Sequence, residues 1–265
     1  MKSLVKALGI LTHLAEGYQD SYTLTEISRG VHLHVSTVHR LMVNLLRQGF
    51  VETDHATGGC KLGFRVLRMG LRVLDRVDFR RVADPLLRQL NQQTQETVHL
   101  AILQDDRAVS IEKFESPQPV GLTAPLGGIL PLHCTGVGKV LLAYQGDGLV
   151  RRIASQQGLE PRTDRTLTTL AALRRELARV REDGFALDNE EAVKGLRCVA
   201  APIFDHHGQV VAAFSVAAPS TRFIVAQLPG ICRLVRDTSQ EISFRLGFSP
   251  HRAESGLLRT SQSKD

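Results

Sequence analysis

The chain has 265 residues, 43% of them hydrophobic, which is enough to form two domains with separate cores. A formal net charge of +6 favours a polyanionic partner without identifying one. No apolar run is as long as a membrane span, and no window near the amino terminus has the pattern of a signal peptide, so we predict a cytoplasmic protein. The four cysteines are far apart and form no C-x-x-C pair, so neither a disulfide framework nor a structural zinc site is indicated.

The amino-terminal segment predicts three short helices. Leucines at helical spacing in residues 4–15 predict a first helix that ends near Gly17. Thr23 and Glu26 have the spacing of a capping box at the start of a second helix. The segment "VSTVHRLMVNLLRQGF" predicts a third, which ends at Gly49. The predicted apolar face of the third helix consists of Val38, Leu41, Met42, Leu45 and Leu46.

The opposite face of the third helix has the composition of a surface that binds nucleic acid. It carries hydroxyls, an amide and arginines, and no acid occurs between Ile27 and Val51. "FVETD" and "CKLG", with Gly58 and Gly59 in the turn between them, predict a hairpin of two short strands. Residues 1–63 therefore predict a winged helix-turn-helix that binds double-stranded DNA, with a dimerisation or adaptor module as the alternative. The predicted DNA-binding residues are Thr25, Ser36, Thr37, His39, Arg40, Asn44, Arg47 and Lys61.

The rest of the chain predicts a linker helix over 64–78, a second domain over 79–250 and a disordered polar tail over 251–265. "TVHLAILQDDRAVSIEKFES" predicts a hairpin, "VGLTA" a further strand, and "LRCVAAPIFDHHGQVVAAFSVAAP" two buried strands around a turn. "TGVGKVLLAY" and "LTTLAALRRELARVRED" predict helices, and a terminal helix follows. Because hairpins replace regular alternation of strands and helices, we predict an α+β fold with an antiparallel sheet flanked by helices.

The "TGVGK" stretch invites comparison with a nucleotide phosphate loop. That motif needs a glycine and a hydroxyl residue where this chain has His133 and Val140, so the nucleotide interpretation fails. Gly136 and Gly138 instead predict either a helix start whose amides approach an anionic ligand or a tight turn without a ligand.

The segment around Asp188 and Cys198 could support several kinds of chemistry. A thiol nucleophile at Cys198 needs a base, and His133 is the only plausible one, but a small buried hydrophobe is the commoner role for such a cysteine. A metal site built from His133, Cys134, Asp188 and Cys198 matches no ligand spacing, and the acids of "DNEE" could equally form a solvated strand end. We therefore predict no catalytic residue, no metal site and no cofactor.

Along nearly its whole length the chain resembles the IclR family of bacterial transcriptional regulators. The resemblance rests on "STVHRLM" followed by "GFVE", on "PLHCTGVGKVLLA" at 131–143, and on "DNEEAVKGLRCVAAPIFDHHGQVVAAFSVAAP". Within the family, "ETVHLA", "DNEE" and "GLRCVAAPIFD" most resemble the KdgR-type, 2-keto-3-deoxygluconate-responsive repressors of sugar-acid catabolism.

This resemblance implies a winged helix-turn-helix, a linker helix that helps to pair subunits, and a carboxyl-terminal effector domain of GAF-like topology. It implies a homodimer or homotetramer that represses from a palindromic operator and is released by a small carboxylate effector. The implied effector-binding residues are Thr135, Gly136, Val137, Asp188, Leu196, Cys198 and Ser215. An activator of aromatic-acid catabolism, or an enzyme that uses the Asp188 and Cys198 pocket, are the alternatives.

Two departures from the family pattern affect these expectations. Ala217 stands where some relatives have a second serine, which bears on the identity of the ligand. Cys60 stands where an aromatic residue is frequent, from which we expect a weaker contact between the wing and the DNA backbone.

Overall fold

A computed structural model of the protein describes residues 2–17, 19–74, 78–118 and 125–249. The chain divides into two compact units, Met1–Asp78 and Phe79–Asp265. No helix in these described ranges is long and apolar enough to cross a membrane. The predicted strand "VGLTA" and the predicted tail both lie outside the described residues.

The first unit is a winged helix-turn-helix followed by one more helix. Its elements are α1 (Lys2–Glu16), α2 (Leu24–Gly30), α3 (Val35–Arg47), the antiparallel pair β1 (Val51–Thr53) and β2 (Cys60–Leu62), and α4 (Phe64–Leu74). The predicted capping box is confirmed, because Thr23 Oγ1 accepts from the Glu26 amide while Glu26 Oε2 accepts from the Thr23 amide at 2.7 Å. The three predicted helices and the hairpin are thus all present.

The core of the first unit forms where the three helices meet the hairpin. Its buried side chains include Ile10, Ile27, Val38, Leu41 and Met42. The prediction that Leu46 lies on the buried face is wrong, since this side chain is 36% exposed near the carboxyl end of α3. Its neighbour Leu45 packs against the core instead.

The described residues of the second unit form a six-stranded antiparallel sheet with helices on both faces, which confirms the predicted α+β class. The strand order is β5-β4-β3-β8-β7-β6. The strands are β3 (Thr97–Gln104), β4 (Arg107–Phe114), β5 (Ile129–Leu130), β6 (Ala186–Asn189), β7 (Leu196–Phe204) and β8 (Val210–Pro219). The helices are α5 (Asp78–Thr94), α6 (Gly136–Ala143), α7 (Asp147–Gln156), α8 (Leu170–Asp183) and α9 (Leu228–Arg245).

The two faces of this sheet bury different side chains. Large residues such as Phe214 and Val216 pack with α5 and α9. The other face presents small residues, among them Ala101, Ala200 and Ala213, to α6 and α8, and we call it the α6 face. Because successive side chains of a strand point to opposite faces, every second residue of β7 and β8 faces α6. The small side chains let α6 lie close to the sheet.

Candidate DNA-binding surface and effector site

The polar face of α3 lies on the surface of the first unit. Five of its predicted DNA-binding residues are exposed, namely Ser36, His39, Arg40, Asn44 and Arg47, while Thr37 is half-buried. Thr25 is exposed on α2. The helix begins at a cap formed by His34, whose Nδ1 accepts from the Ser36 amide at 3.4 Å. The structure thus presents hydroxyl, amide and guanidinium groups along one helix.

One arginine and two histidines flank this face and were not among the predicted residues. Arg29 and His32 are exposed at the end of α2 and in the turn that follows it, and His34 is exposed at the α3 cap. His32 has a φ of +53°, a left-handed conformation in the turn between the two helices. The sequence signal was available, since these residues belong to the same acid-free stretch.

The hairpin contributes less positive charge than the sequence indicates. Lys61 Nζ lies 3.6 Å from Glu52 Oε1 and 3.9 Å from Asp54 Oδ2, so two acids offset its charge. Cys60 is buried in the core of the unit. A buried Cys60 cannot itself contact the DNA backbone, and the weaker contact between the wing and DNA stays a prediction.

In the second unit, α6 begins over β7, the strand beside the edge strand β6. Thr135 caps this helix, since its Oγ1 accepts from the Gly138 amide at 3.1 Å and donates to the Pro131 carbonyl at 2.6 Å. A Cβ on Gly136 would lie 3.0 Å from Ala200 Cβ, and one on Gly138 would collide with the Pro131 carbonyl. Both glycines are thus explained by close packing. The first amides of an α-helix have no acceptor within the helix, so those of Gly136 and Val137 are suited to an anion.

Lys139, the lysine of "TGVGK", is fully buried and bound within the protein. Its ammonium donates to Glu191 Oε1 at 2.6 Å, to the Leu187 carbonyl at 2.7 Å and to Glu176 Oε1 at 3.0 Å. These contacts connect α6 to α8 and to the segment after β6. Because all three ammonium hydrogens are donated within the protein, Lys139 is not available to bind a phosphate. This supports the conclusion that "TGVGK" is not a nucleotide phosphate loop.

Asp188 is 1% exposed, so the alternative of a solvated strand end is wrong. Its Oδ1 accepts from the amides of Glu191 at 2.7 Å and Ala192 at 3.4 Å. Burial outweighs these hydrogen bonds and raises the pKa of Asp188 to about 7. The carboxyl group can therefore act both as a hydrogen-bond donor and as an acceptor near neutral pH.

The thiol and imidazole groups near this position do not form a nucleophile with its base. Burial raises the pKa of Cys198 well above its usual value and raises that of Cys134 to about 12, so both thiols stay protonated. The ring of His133 lies 3.1 Å from the Glu160 carbonyl, and burial lowers its pKa. Within the described ranges, no cluster of three or more His, Cys, Asp or Glu side chains could hold a metal ion.

Strand register brings the predicted effector residues together. Asp188 on β6 pairs with Cys198 on β7, and Cys198 pairs with Ala217 on β8. In the next row, Ala200 pairs with Ser215, and Ser215 pairs with His99 on β3. Gly136 lies over Cys198 and Ala200, and Leu196 lies on the same face of β7 as these two residues. All seven predicted residues thus lie at one end of the α6 face or at the start of α6. His99, which the sequence prediction omitted, lies beside them.

Two family models match this chain. The model described as the IclR helix-turn-helix domain matches residues 3–55, and the one described as Bacterial transcriptional regulator IclR C-terminal matches residues 71–244. The chain belongs to the IclR family. It is therefore a helix-turn-helix transcriptional regulator, and the relatives it resembles are named as regulators and not as enzymes.

Individual relatives match this member of the IclR family over almost its entire length. It is 34% identical to the HTH-type transcriptional regulator KdgR of Escherichia coli strain K12, with 94% of each chain covered. It is 36% identical to the HTH-type transcriptional repressor AllR of the same strain, with 94% of this chain and 92% of that one covered. An IclR homologue of Microbacterium hydrocarbonoxydans, crystallised with 4-hydroxybenzoate, has a TM-score of 0.80 at 26% identity, covering 91% of this chain and 98% of that one.

Proposed function

We propose that this protein is a repressor that binds a palindromic operator and is released from it by a small carboxylate effector. The observation that carries the proposal is the set of groups gathered at one end of the α6 face. The amides of Gly136 and Val137 and the dipole of α6 are suited to a carboxylate. Asp188 and Ser215 supply hydrogen bonds to hydroxyl or keto oxygens, and Leu196 and Cys198 supply apolar contact.

The DNA-binding half of the proposal rests on α3. Arg40 and Arg47 are exposed along the same helix as Ser36 and Asn44, and we propose that α3 enters the major groove of double-stranded DNA. Thr25 and Lys61 would contact the backbone from α2 and the wing. In this scheme residues 1–63 bind DNA, 64–78 form the linker and 79–250 bind the effector. A regulator of this kind acts in the cytoplasm, where its DNA is.

Exposed apolar side chains in the first unit support pairing of subunits. Leu4, Val5 and Leu8 on α1 are at least 53% exposed, and Leu67 and Leu71 on α4 are 50% and 49% exposed. Large apolar patches on a soluble surface usually mark an interface. We propose that a second copy of the chain covers them, which matches the two-fold symmetry of a palindromic operator.

A second candidate is an activator that responds to an aromatic acid. It is favoured by the Microbacterium relative, which was crystallised with 4-hydroxybenzoate. The repressor is preferred because AllR is named as a repressor. An aliphatic hydroxy or keto acid is preferred as the effector because it can offer the buried Asp188 and Ser215 more oxygen atoms than the single hydroxyl of 4-hydroxybenzoate.

The experiment that tests the proposal is a binding isotherm of the purified protein on DNA from its own upstream region. The isotherm is repeated with glyoxylate, gluconate, 2-keto-3-deoxygluconate and 4-hydroxybenzoate. We expect sequence-selective binding that one of the aliphatic acids weakens. Release by 4-hydroxybenzoate alone would favour the second candidate, and affinity no higher than for random DNA would contradict both.

A further inference from the structure

Two buried polar atoms on the α6 face have no hydrogen-bond partner among the described residues. They are Nδ1 of His99, whose side chain is 5% exposed, and Oγ of Ser110, which is 0% exposed. Buried polar groups in proteins are almost always hydrogen-bonded, so two unpartnered ones in the same region need an explanation. A bound ligand would supply hydrogen-bond partners for both atoms.

Both atoms lie where the effector site continues across the sheet. His99 on β3 pairs with Ser215 on one side and with Lys113 of β4 on the other. Ser110 of β4 pairs with Ala101, two residues beyond His99, so His99 and Ser110 are diagonal neighbours about 7–8 Å apart. The alternation of both strands points these side chains to the α6 face, as it does for Ser215. The row of polar groups that begins at Asp188 therefore extends to β4.

This end of the site is neutral to positive. Burial, followed by the nearby Lys113 ammonium, lowers the pKa of His99 to about 4, so its imidazole is neutral at pH 7. Lys113 is only 10% exposed and lies 3.0 Å from Glu115, whose carboxylate is 76% exposed. A neutral imidazole and a hydroxyl beside a cation suit an oxygen-bearing group, whether a hydroxyl, a keto group or a second carboxylate.

Sheet geometry sets the length of a ligand that reaches both ends. Gly136 lies over β7, and His99 lies two strands away on β3, a separation of about 10 Å. Hydrogen bonds of about 3 Å at each end leave roughly 4 Å or more between the two polar ends of the ligand. A two-carbon acid is too short for this, whereas an unbranched acid of four to six carbons fits.

We propose that His99 and Ser110 bind the far end of the effector, so that the site selects an acid of four to six carbons with an oxygen-bearing group opposite its carboxylate. This inference rests on the proposed function, since it assumes that the carboxylate occupies the amides at the start of α6. His99 then determines specificity, because ligands that carry the distal oxygen bind more tightly than those that lack it.

The test compares three acids by titration calorimetry on the full-length protein: 6-hydroxyhexanoate, hexanoate and glyoxylate. The first two differ only in the distal oxygen. We expect the wild type to bind 6-hydroxyhexanoate about tenfold more tightly than hexanoate, and His99→Leu to reduce this ratio to about one. His206→Leu, at an exposed histidine of the same unit, is the matched control and should keep the ratio.

The outcomes separate this inference from the proposed function. If acids bind but hexanoate or glyoxylate binds as tightly as 6-hydroxyhexanoate, the inference is overturned and the effector site remains. The same holds if His99→Leu keeps the preference. If none of the acids binds and no acid of the operator-release panel weakens DNA binding, the effector half of the proposed function fails as well, and the inference fails with it.

The stability of the free protein gives an independent readout. Replacing an unpartnered buried polar group by an apolar one should not lower the melting temperature, so we expect His99→Leu and Ser110→Ala to melt at or above the wild-type temperature. Lower melting of both variants would show that these atoms have partners in the free protein and would overturn the inference. If only His99→Leu is unstable, Ser110→Ala and His99→Gln carry the binding comparison.

Discussion

Asp188 is held by opposing electrostatic effects. Two backbone amides and the nearby Lys139 ammonium favour the charged carboxylate, but burial favours the neutral acid and dominates. Lys139 compensates poorly, because Glu176 and Glu191 already share its charge. The acid therefore stays close to its titration midpoint at neutral pH, a property that suits contact with a polar ligand and costs stability in the free protein.

This cost predicts how stability depends on pH. The pKa of Asp188 is about 7 in the folded protein, above its usual value of 3.8, so the folded state binds the proton more tightly than the unfolded state. The stability that this proton contributes is fully present below pH 3.8 and is lost as the pH rises through 7. Urea denaturation should show that the free energy of unfolding falls more between pH 5 and pH 8 in the wild type than in Asp188→Asn. An equal decrease in both proteins would contradict a raised pKa of Asp188 in the folded state.

The buried ammonium of Lys139 should stabilise the folded protein at any pH near neutral. Lys139→Met leaves Glu191 buried without its cation and should lower the free energy of unfolding by about 3–5 kcal/mol. The matched control is Lys194→Met, at an exposed lysine of the same unit. Urea denaturation at pH 7 measures both. A Lys139→Met variant as stable as the control would mean that the buried ion cluster is not important for the fold.

At the scale of elements, α3 combines an apolar face that packs the first unit with a polar face that has no acids. A solvated helix with no DNA to bind usually carries charges of both signs. The polar face of α3 has arginines at Arg40 and Arg47 and no compensating carboxylate along the helix. This asymmetry in charge extends along the whole helix and is the main reason to infer that α3 binds DNA.

The assignment predicts the salt dependence of DNA binding. Arg40→Ala and Arg47→Ala should each weaken binding and reduce the slope of log affinity against log salt by about one, if each arginine neutralises one phosphate. Arg175→Ala, at an exposed arginine of α8, should leave both quantities unchanged. Fluorescence anisotropy at several salt concentrations measures the slopes. If neither variant lost affinity for DNA, these arginines would lie on a surface that does not contact DNA.

Local sequence signals predicted most of the elements. Caps, helical spacing and the Gly58–Gly59 turn are contained within a few residues, so α1, α2, α3 and the hairpin could be read directly. The sequence analysis missed the ten-residue helix α7 and two short strands, and the strands depend on distant partners. Strand β6 has only four residues, one of them the charged Asp188, and it is a strand because it pairs with β7. Likewise β5 has two residues and forms only against β4.

The same limit applies to the effector site. Asp188, Cys198 and Ser215 were named through the family resemblance, not from their spacing. His99 and Lys139 were missed because their importance depends on strand register and burial: nothing near His99 in the sequence indicates that it pairs with Ser215, and nothing near Lys139 indicates that it meets Glu176 and Glu191.

At the scale of the whole molecule, the proposal requires two chains. The apolar faces of α1 and α4 would then be buried in a dimer, and each dimer would present two copies of α3 to a two-fold symmetric operator. Subunit pairing is thus a condition for tight binding to DNA.

A charge placed in this apolar surface should separate the subunits. We expect the double variant Leu4→Glu/Leu67→Glu to be smaller in solution than the wild type and to bind the operator at least tenfold more weakly, since burying a charge at an interface is costly. Leu126→Glu, at an exposed leucine of the second unit, is the control. Light scattering coupled to size-exclusion chromatography measures the mass. An unchanged mass with unchanged DNA affinity would place the interface elsewhere.

In the proposed mechanism the acid and the operator bind to different units of the protein, and each weakens the binding of the other. Thermodynamic linkage requires that the acid weaken DNA binding by the same factor by which the operator weakens binding of the acid. The most direct test is therefore titration calorimetry of the acid that releases the operator, with the protein free and with the protein saturated by operator DNA. We predict weaker binding to the DNA complex, by the factor found in the DNA isotherm. Equal affinity for the free and the DNA-bound protein would contradict the account.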